Sequence, residues 1–398
     1  MGTGPNFAMR IAVIGAGPAG CRASGLLSQA GHEVRIFDAR GPWEKPCGGG
    51  VTARALGLGG GLPADLPKQE VERITAWFGD SCSVSLEPTG PLGVVSRKQF
   101  GEHLLAVARA AGADFVRARV SQLEQQDGHW ILRTRDASFT AEYVVGADGA
   151  TSMVRRKIGR PFGEEDLSVT LGYFIRGRTS AHMKIFFIPG VEGYIWSFPR
   201  RDHISYGLIT RPGPNWTQRG KALLENYILA DLGPGVMEEA EFYSAPVPRL
   251  RSRSWASNRI SGPGWGLIGD AAGLADPITG EGIYFALRSA HILAETFPAA
   301  AAYQERVETE CFRELESASK LYRRFYSGRF LGGSFQKRMI QMARRSPTIR
   351  GYLGRLVSGS EGYRGLRGKL LCSAPRVAFE MVSAPFRGES PGLQLPSG

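Results

Sequence analysis

The chain has 398 residues, 42% of them hydrophobic and 22% charged, with a formal net charge of +12 from 49 basic and 37 acidic residues. This length suffices for two or three structural units with sizeable cores. The five cysteines are far apart and form no C-x-x-C pair, which argues against zinc, iron–sulfur and disulfide-framework proteins, and no run of about eighteen uncharged apolar residues predicts a membrane span.

The start of the chain lacks the pattern of a secretory signal peptide, because no charge or long apolar segment precedes Arg10. Together with the cysteine pattern, this predicts a cytoplasmic protein in a reducing environment.

The first predicted elements are a strand, a tight turn, a helix and a second strand over residues 10–40. Residues 10–14 form a short apolar run typical of a buried parallel strand, and a G-x-G-x-x-G turn follows. In such a turn one glycine reverses the chain, one admits a pyrophosphate and one lets the helix pack on the strand. Asp38 stands where an acid binds a ribose hydroxyl. The combination predicts a dinucleotide site rather than a ligand-free turn; its glycines are Gly15, Gly17 and Gly20.

A second glycine-rich loop follows at residues 45–51, Lys-Pro-Cys-Gly-Gly-Gly-Val. Three consecutive glycines are incompatible with a helix interior or a strand, so a bare backbone is expected against which a flat group can lie. Residues 71–78 and 82–86 predict paired strands, and Ser96 is a plausible N-cap of a helix.

Residues 115–123, 129–134 and 138–141 alternate as a small meander, and a buried strand then ends in Gly146-Ala-Asp148-Gly149. From 160 to 254 the pattern changes to period-two strands, which predict an antiparallel sheet in a second, inserted domain. There, alternation places three aromatic side chains on one face, either as sheet core or as a pocket wall: Tyr194, Trp196 and Phe198.

The last third of the chain begins with a strand ending in Gly269-Asp270 and a helix starting near Gly282. Beyond it the pattern is helical and strongly basic, because residues 320–369 hold thirteen basic residues and one acid, Glu361. Aromatic and leucine residues between these charges favour a peripheral membrane surface over nucleic-acid binding, and a solvated basic face is the alternative. Residues 391–398 are expected to be disordered.

The three glycine motifs, at residues 15–20, 146–149 and 269–270, occur in an order that resembles the flavoproteins related to para-hydroxybenzoate hydroxylase. Within these, residues 45–51 and the Tyr-x-Trp-x-Phe-Pro segment at 194–199 are similar to the geranylgeranyl reductase branch. The resemblance covers about residues 9–300. It implies a Rossmann-type α/β domain that binds FAD, an inserted antiparallel-sheet substrate domain and a C-terminal helical region.

The resemblance also implies a division of the chain into parts with separate roles. The FAD-binding domain would comprise residues 9–72, 94–159 and 255–303. The substrate domain would comprise 73–93 and 160–254, and a basic helical region would span 304–390, before the tail at 391–398.

The same resemblance assigns roles to individual residues. Cys47 would act as the catalytic residue that positions the double bond or delivers a proton, unless it only fills space beside the flavin. The aromatic residues at 194, 196 and 198 would line the substrate tunnel. FAD would be bound by Gly15, Gly17, Ala19, Gly20, Asp38, Cys47, Gly48, Gly50, Arg97, Val120, Asp148, Asp270, Gly282 and Ile283.

Three functions fit this pattern. The first is a reductase that saturates double bonds of a geranylgeranyl or similar polyprenyl chain, carried by a pyrophosphate, a chlorophyllide ester, a quinone or a lipid. With a single G-x-G-x-x-G motif, NADPH would bind transiently or a ferredoxin would supply electrons. The second is a flavin-dependent monooxygenase or halogenase, and the third is a non-enzymatic escort for prenyl chains.

Overall fold

The computed structural model describes residues 8–58, 66–80, 82–159, 161–213 and 215–383. The predicted disordered tail at 391–398 lies outside these residues. The strands, in chain order, are β1 (Arg10–Ile14), β2 (Glu33–Phe37), β3 (Gly50–Val51), β4 (Lys68–Glu70), β5 (Arg73–Phe78), β6 (Cys82–Leu86), β7 (Gly93–Val95), β8 (Asp114–Val116), β9 (Gln122–Gln126), β10 (His129–Arg133), β11 (Ser138–Ala141), β12 (Tyr143–Gly146), β13 (Leu167–Arg176), β14 (His182–Phe187), β15 (Gly193–Pro199), β16 (His203–Thr210), β17 (Glu241–Pro248), β18 (Ser261–Gly262), β19 (Trp265–Leu267), β20 (Arg329–Phe330) and β21 (Gly333–Ser334).

The helices are α1 (Pro18–Gln29), α2 (Ala53–Leu56), α3 (Arg97–Ala110), α4 (Met153–Ile158), α5 (Trp216–Leu232), α6 (Ser252–Trp255), α7 (Ile283–Thr296), α8 (Ala300–Val307), α9 (Arg313–Ser327), α10 (Phe335–Arg345), α11 (Pro347–Val357) and α12 (Leu366–Ser383).

The first sheet is mostly parallel, and its described strands follow the order β18-β19-β12-β1-β2-β8. β1 pairs in parallel with β2 and β12, and β12 pairs in parallel with β19. All of β12 is buried, and so is β1 after Arg10, while α1 packs against both α3 and α7. Burial of parallel strands beneath helices explains why their sequences are apolar without alternation. The predicted Rossmann-type α/β fold is confirmed.

The second sheet follows the order β17-β13-β16-β15-β14-β5-β6 among the described strands. Its strands pair antiparallel except β14 and β5, which run parallel. The predicted antiparallel-sheet unit is therefore confirmed, and β5 and β6 extend it from an earlier part of the chain. This sheet carries the aromatic residues of β15 and faces the helices that follow α8.

The predicted meander was wrong at its first strand. Residues 114–116 form β8, the edge of the first sheet, and the meander consists of β9, β10 and β11. The reason is that β8 pairs with β2 in parallel, and this long-range pairing is invisible to local alternation.

The C-terminal helices are integral to the molecule. Residues from α8 and α9, such as Val307 and Leu315, belong to the apolar core around the first sheet. Tyr322, Tyr326 and Leu353 are 6%, 7% and 8% exposed and lie in the apolar cluster of the second sheet, so the prediction that they face a membrane was wrong. None of the described helices combines the length and apolar composition needed to cross a bilayer.

Candidate active site

The three glycine motifs meet at one edge of the first sheet, because β1, β12 and β19 are parallel and each is followed by one motif. The Ala147 N–H donates to the Ile14 carbonyl at 2.8 Å, and the Ile268 N–H donates to the Gly146 carbonyl at 3.0 Å. The carboxyl edge of such a sheet is where doubly wound folds bind ligands.

The first glycine turn combines two close backbone contacts with one open position. Gly15 has φ +107°, and a Cβ there would lie 2.4 Å from the Ala147 carbonyl oxygen. A Cβ at Gly20 would lie 1.9 Å from the Gly15 carbonyl oxygen. At Gly17, the N-cap of α1, no described atom lies within 4 Å of the Cβ position. The turn thus leaves bare backbone facing open space at the start of a helix, a geometry suited to phosphate.

Asp38 braces this turn from the end of β2. One carboxylate oxygen accepts the Ala16 N–H at 3.0 Å, and the other accepts the N–H groups of Arg40 and Gly41 at 2.9 and 3.0 Å. The carboxylate is therefore held beside the glycine turn. Its role in binding a ribose stays a prediction.

Asp270 lies at the start of α7. A Cβ added at Gly282 would lie 3.1 Å from the Asp270 Oδ1. Gly282 is the N-cap of that helix, and Ile283 is its first residue. The first N–H groups of a helix have no partner within the helix. The structure thus brings these three residues together, with helical N–H groups beside a carboxylate.

Three further predicted cofactor residues, Val120, Arg97 and Asp148, lie in other parts of the structure. Val120 is buried, and the Arg97 side chain is 9% exposed, with no hydrogen-bond partner for its Nε among the described residues. Asp148 accepts hydrogen bonds from the N–H groups of Met153 and Val154 at 2.7 and 3.2 Å, while burial raises its pKa. The Asp148 carboxylate is therefore committed to the start of α4, and its place in a cofactor channel stays a prediction.

The loop after Cys47 lies directly under the second sheet. A Cβ at Gly48 would lie 2.4 Å from the Phe198 ring, and Gly49 has φ +84° with its Cβ position 2.5 Å from the Val95 carbonyl oxygen. Gly50 starts β3, also against the Phe198 ring. Only glycine fits at the first two of these positions, which explains the glycines at 48 and 49.

Cys47 is partly exposed as a residue, but its thiol is buried among hydrogen-bond donors. Burial opposes its ionisation, but Arg97, the Gly49 N–H at 3.3 Å and Arg200 together hold the pKa of Cys47 below its ordinary value. A thiol whose anion is stabilised in this way is a better proton donor than an ordinary cysteine.

Arg200 is the main residue of this site that the sequence analysis missed. It is 1% exposed, donates from Nη2 to the Cys47 carbonyl at 2.7 Å and contacts His203 Nε2 at 3.1 Å. Its Nη1 pairs with Glu44, which also accepts the Arg97 N–H at 2.8 Å. The arginine that directly follows the aromatic strand was the available signal. His203 belongs to the same network.

The three aromatic residues of β15 share a face, as alternation predicts. The ring centroids of Tyr194 and Trp196 are 6.2 Å apart, and those of Trp196 and Phe198 are 6.3 Å apart. Tyr194 and Trp196 are 8% and 5% exposed, and the Tyr194 hydroxyl donates to the Thr279 carbonyl. The row therefore runs from the Cys47 loop to the segment before α7, packed within an apolar cluster.

That segment, residues 276–281, contains a second group that the sequence analysis missed. Glu281 accepts a hydrogen bond from the Thr52 hydroxyl at 2.6 Å and lies 3.6 Å from Arg54, which also pairs with Glu314 at 2.8 Å. Burial raises the pKa of Glu281 to about 7, although Thr52 and Arg54 act in the opposite direction. A carboxyl that titrates near neutral pH thus stands next to the N-cap of α7.

Comparison with known proteins agrees with this geometry. Residues 8–310 match a family model described as an FAD binding domain. The chloroplastic geranylgeranyl diphosphate reductase of Oryza sativa subsp. japonica is 26% identical over 345 residues, which cover 79% of this chain and 72% of that protein. The menaquinone reductase of Mycobacterium tuberculosis is 28% identical over 319 residues, covering 72% of this chain and 75% of that protein.

Among solved structures, a geranylgeranyl bacteriochlorophyll reductase-like protein from Thermoplasma acidophilum superposes with a TM-score of 0.73 and 20% identity. The match covers 91% of this chain and 98% of that one, so the two share the same fold.

Proposed function

Because this chain belongs to the FAD-binding-domain family, we propose that it is an FAD-dependent reductase that saturates carbon–carbon double bonds of a geranylgeranyl or similar polyprenyl chain. One observation carries the proposal above the others. The Cys47 loop, whose thiol has a lowered pKa, lies against Phe198 at one end of a row of aromatic side chains in an apolar cluster. Relatives named for geranylgeranyl diphosphate and for menaquinone support a substrate of this class.

The residues present fit FAD. The open position at Gly17 leaves room for a phosphate at the start of α1, and the buried Arg97 Nε lacks a partner among the described residues. Asp38 would meet the ribose, Asp270 the ribitol and the N-cap region at Gly282 the ring carbonyls. When bound, FAD supplies the two-electron hydride chemistry of the reduction. NADPH or a ferredoxin is the proposed source of its electrons.

The protein's own residues would supply the proton of the reaction and hold it next to the substrate carbon. Reduction of a double bond needs one hydride equivalent on one carbon and one proton on the other. Cys47 would hold that proton on Sγ and give it to the substrate carbon. The thiolate left behind is stabilised by Arg97 and the Gly49 N–H, and it regains its proton from solvent.

Alignment of the substrate has to come from shape, because an unactivated alkene offers no charged or hydrogen-bonding group. Phe198 touches the Cys47 loop, and Trp196 packs flat over Gly207, where a Cβ would lie 2.1 Å from the indole. The hydroxyl of Tyr194 is already bonded to a carbonyl, so the row presents apolar surface. A prenyl chain lying along this row would reach the Cys47 loop.

The test is an anaerobic reaction. The purified protein is reduced with dithionite, geranylgeranyl diphosphate is added, and flavin absorbance and product mass are followed. We expect reoxidation without oxygen and a product heavier by two hydrogens for each bond reduced. The matched Cys47→Ala variant should keep a near-normal flavin content but turn over more slowly.

Three outcomes contradict the proposal. Reoxidation that requires oxygen, with a hydroxyl or halogen in the product, identifies a monooxygenase or halogenase. A colourless protein that retains prenyl chains identifies an escort. Unchanged turnover in Cys47→Ala removes the thiol from the chemistry.

A further inference from the structure

Helix α12 has polar side chains on the face that contacts the rest of the protein and apolar side chains on its exposed face. On its inner face, Ser373 shares a 3.0 Å hydrogen bond with the Tyr352 hydroxyl, and Glu380 accepts from the Thr348 hydroxyl at 2.8 Å and from the Ser346 hydroxyl at the start of α11. Val377, 8% exposed, is the buried apolar residue of this face. The polar contacts therefore fix the orientation of the helix on the protein.

The outer face of α12 is apolar, and none of the described residues covers it. Leu371, Phe379 and Val382 are 76%, 72% and 89% exposed, and Pro375 and Ala378 between them are exposed as well. In chain order these residues are 371, 375, 378, 379 and 382, a spacing that places all five on one side of the helix. We call these five residues the outer stripe. Soluble proteins seldom leave a continuous apolar strip of this kind in water without a partner.

The charges around the outer stripe are basic. Arg364 and Arg367 are exposed on the turns before it, and Arg376 is exposed at its border. Between 364 and 383 there are four basic residues and one acid, Glu380, which is bound inward and also pairs with Arg376 at 3.1 Å. Two copies of the chain docking through this stripe would bring like charges together. An anionic lipid bilayer would take up the apolar side chains of the strip and attract the basic residues beside it.

We propose that the outer stripe of α12 docks the protein on an anionic phospholipid bilayer. The helix would lie parallel to the membrane with its three large apolar side chains below the headgroups, since an amphipathic helix binds through buried apolar area and basic attraction together. The surface differs from the aromatic and leucine residues between 320 and 357 that composition suggested, of which Tyr322, Tyr326 and Leu353 are buried.

This placement, resting on the proposed reductase function, sets the docking helix against the apolar cluster that holds the aromatic row. Val377 on the inner face of α12 belongs to the same apolar cluster as Tyr194 and Trp196. Tyr363, just before α12, has its hydroxyl 3.5 Å from Asp276 Oδ1 in the segment preceding α7. Contiguous apolar side chains thus connect the membrane-facing helix with the aromatic row.

Vesicle binding by the full chain tests the docking. The probes are phosphatidylcholine vesicles with and without about 30% phosphatidylglycerol, in a flotation assay from low to high salt. We expect binding only to the anionic vesicles, weakened by salt. Combined Leu371→Gln, Phe379→Gln and Val382→Gln should weaken it about tenfold or more, with flavin content unchanged. The matched control is Leu331→Asn, since Leu331 is 70% exposed but lies in a turn remote in sequence from α12.

A second readout does not depend on those substitutions. The exposed Cys372 lies on α12 and accepts an environment-sensitive fluorophore in a Cys47→Ala background. A blue shift on adding anionic vesicles is expected, and Arg364→Gln with Arg367→Gln should reduce it.

Absence of flotation at low salt, or equal loss of binding in the Leu331→Asn control, overturns the proposal. So does a dimer in sedimentation that the glutamine variant dissociates. None of these assays involves turnover, so their failure leaves the reductase proposal to its own test.

Discussion

At the scale of single residues, the pKa of the Cys47 thiol depends on neighbours that are far away in sequence. Arg97 opens α3 and Arg200 follows β15, yet both lie at the Cys47 loop and are joined through Glu44. The sequence analysis named Cys47 from its glycine-rich loop and Arg97 from the family resemblance, and their roles stay predictions. It did not predict Glu44 or Arg200, because their partners are set by how the two sheets meet.

Arg97→Gln should shift the pKa of Cys47 upward, because the variant removes the strongest of the groups that offset its burial. The rate of alkylation by iodoacetamide, measured against pH, should then rise only at higher pH than in the parent protein. Lys98→Gln is the matched control, since that neighbouring cation is exposed on the same helix. An unchanged profile in Arg97→Gln would show that the thiol is tuned by other groups.

Glu281→Gln should change the pH dependence of stability. The pKa of Glu281 is about 7 in the folded protein against an ordinary 4.5, so between these values the folded state holds a proton that the unfolded state has lost. Stability therefore falls as pH rises through this window and is level above it.

Replacing Glu281 removes that loss and leaves Arg54 paired with Glu314. We expect the variant to match the parent near pH 4.5 and to be more stable near pH 8, by about 3 kcal/mol at most. Thermal melts across pH measure this, with the exposed Glu305→Gln on α8 as control. Equal melting profiles for parent and Glu281→Gln would contradict the argument.

At the scale of elements, the strand–turn–helix over residues 10–29 was predictable because everything it needs is local. The glycine positions, the apolar strand and the helix after Pro18 are all readable within one short segment. The same holds for the Ser96 cap, whose hydroxyl accepts the Gln99 N–H at 3.2 Å. Parallel pairings such as β14 with β5 were not predictable, since no local signal brings residues 73–78 and 182–187 together.

The glycine turn allows a matched pair of substitutions. Gly20→Ala forces a Cβ onto the Gly15 carbonyl oxygen at 1.9 Å, whereas Gly17→Ala adds a methyl group where the described protein has open space. We expect Gly20→Ala to lower the unfolding free energy by roughly 1–3 kcal/mol. Gly17→Ala should fold with near-normal stability but bind much less FAD.

Thermal unfolding and the flavin absorbance of the purified variants separate these effects. If Gly17→Ala retains a full complement of flavin, the phosphate does not approach that position.

At the scale of the whole molecule, the sequence predicted the units but not how they share their cores. The change from a glycine-rich α/β pattern to period-two strands marked the second sheet correctly. The basic region after 310 was interpreted as a surface feature, yet it supplies Cys311 and Leu315 to the first core and Ile340 to the second. The number of charged residues in a helix indicates its exposed face. Which of its apolar residues are buried depends on the tertiary packing.

The hydrogen bond from Arg200 to the Cys47 carbonyl has an evolutionary consequence. The hairpin that carries this arginine also carries the aromatic row. Under the proposed function, selection for a bulkier or shorter substrate would act on the same few residues that support the proposed acid. Under that proposal, changes in substrate preference and changes in working pH would be inherited together. Laboratory evolution of one trait would then need compensating changes around Glu44 to preserve the other.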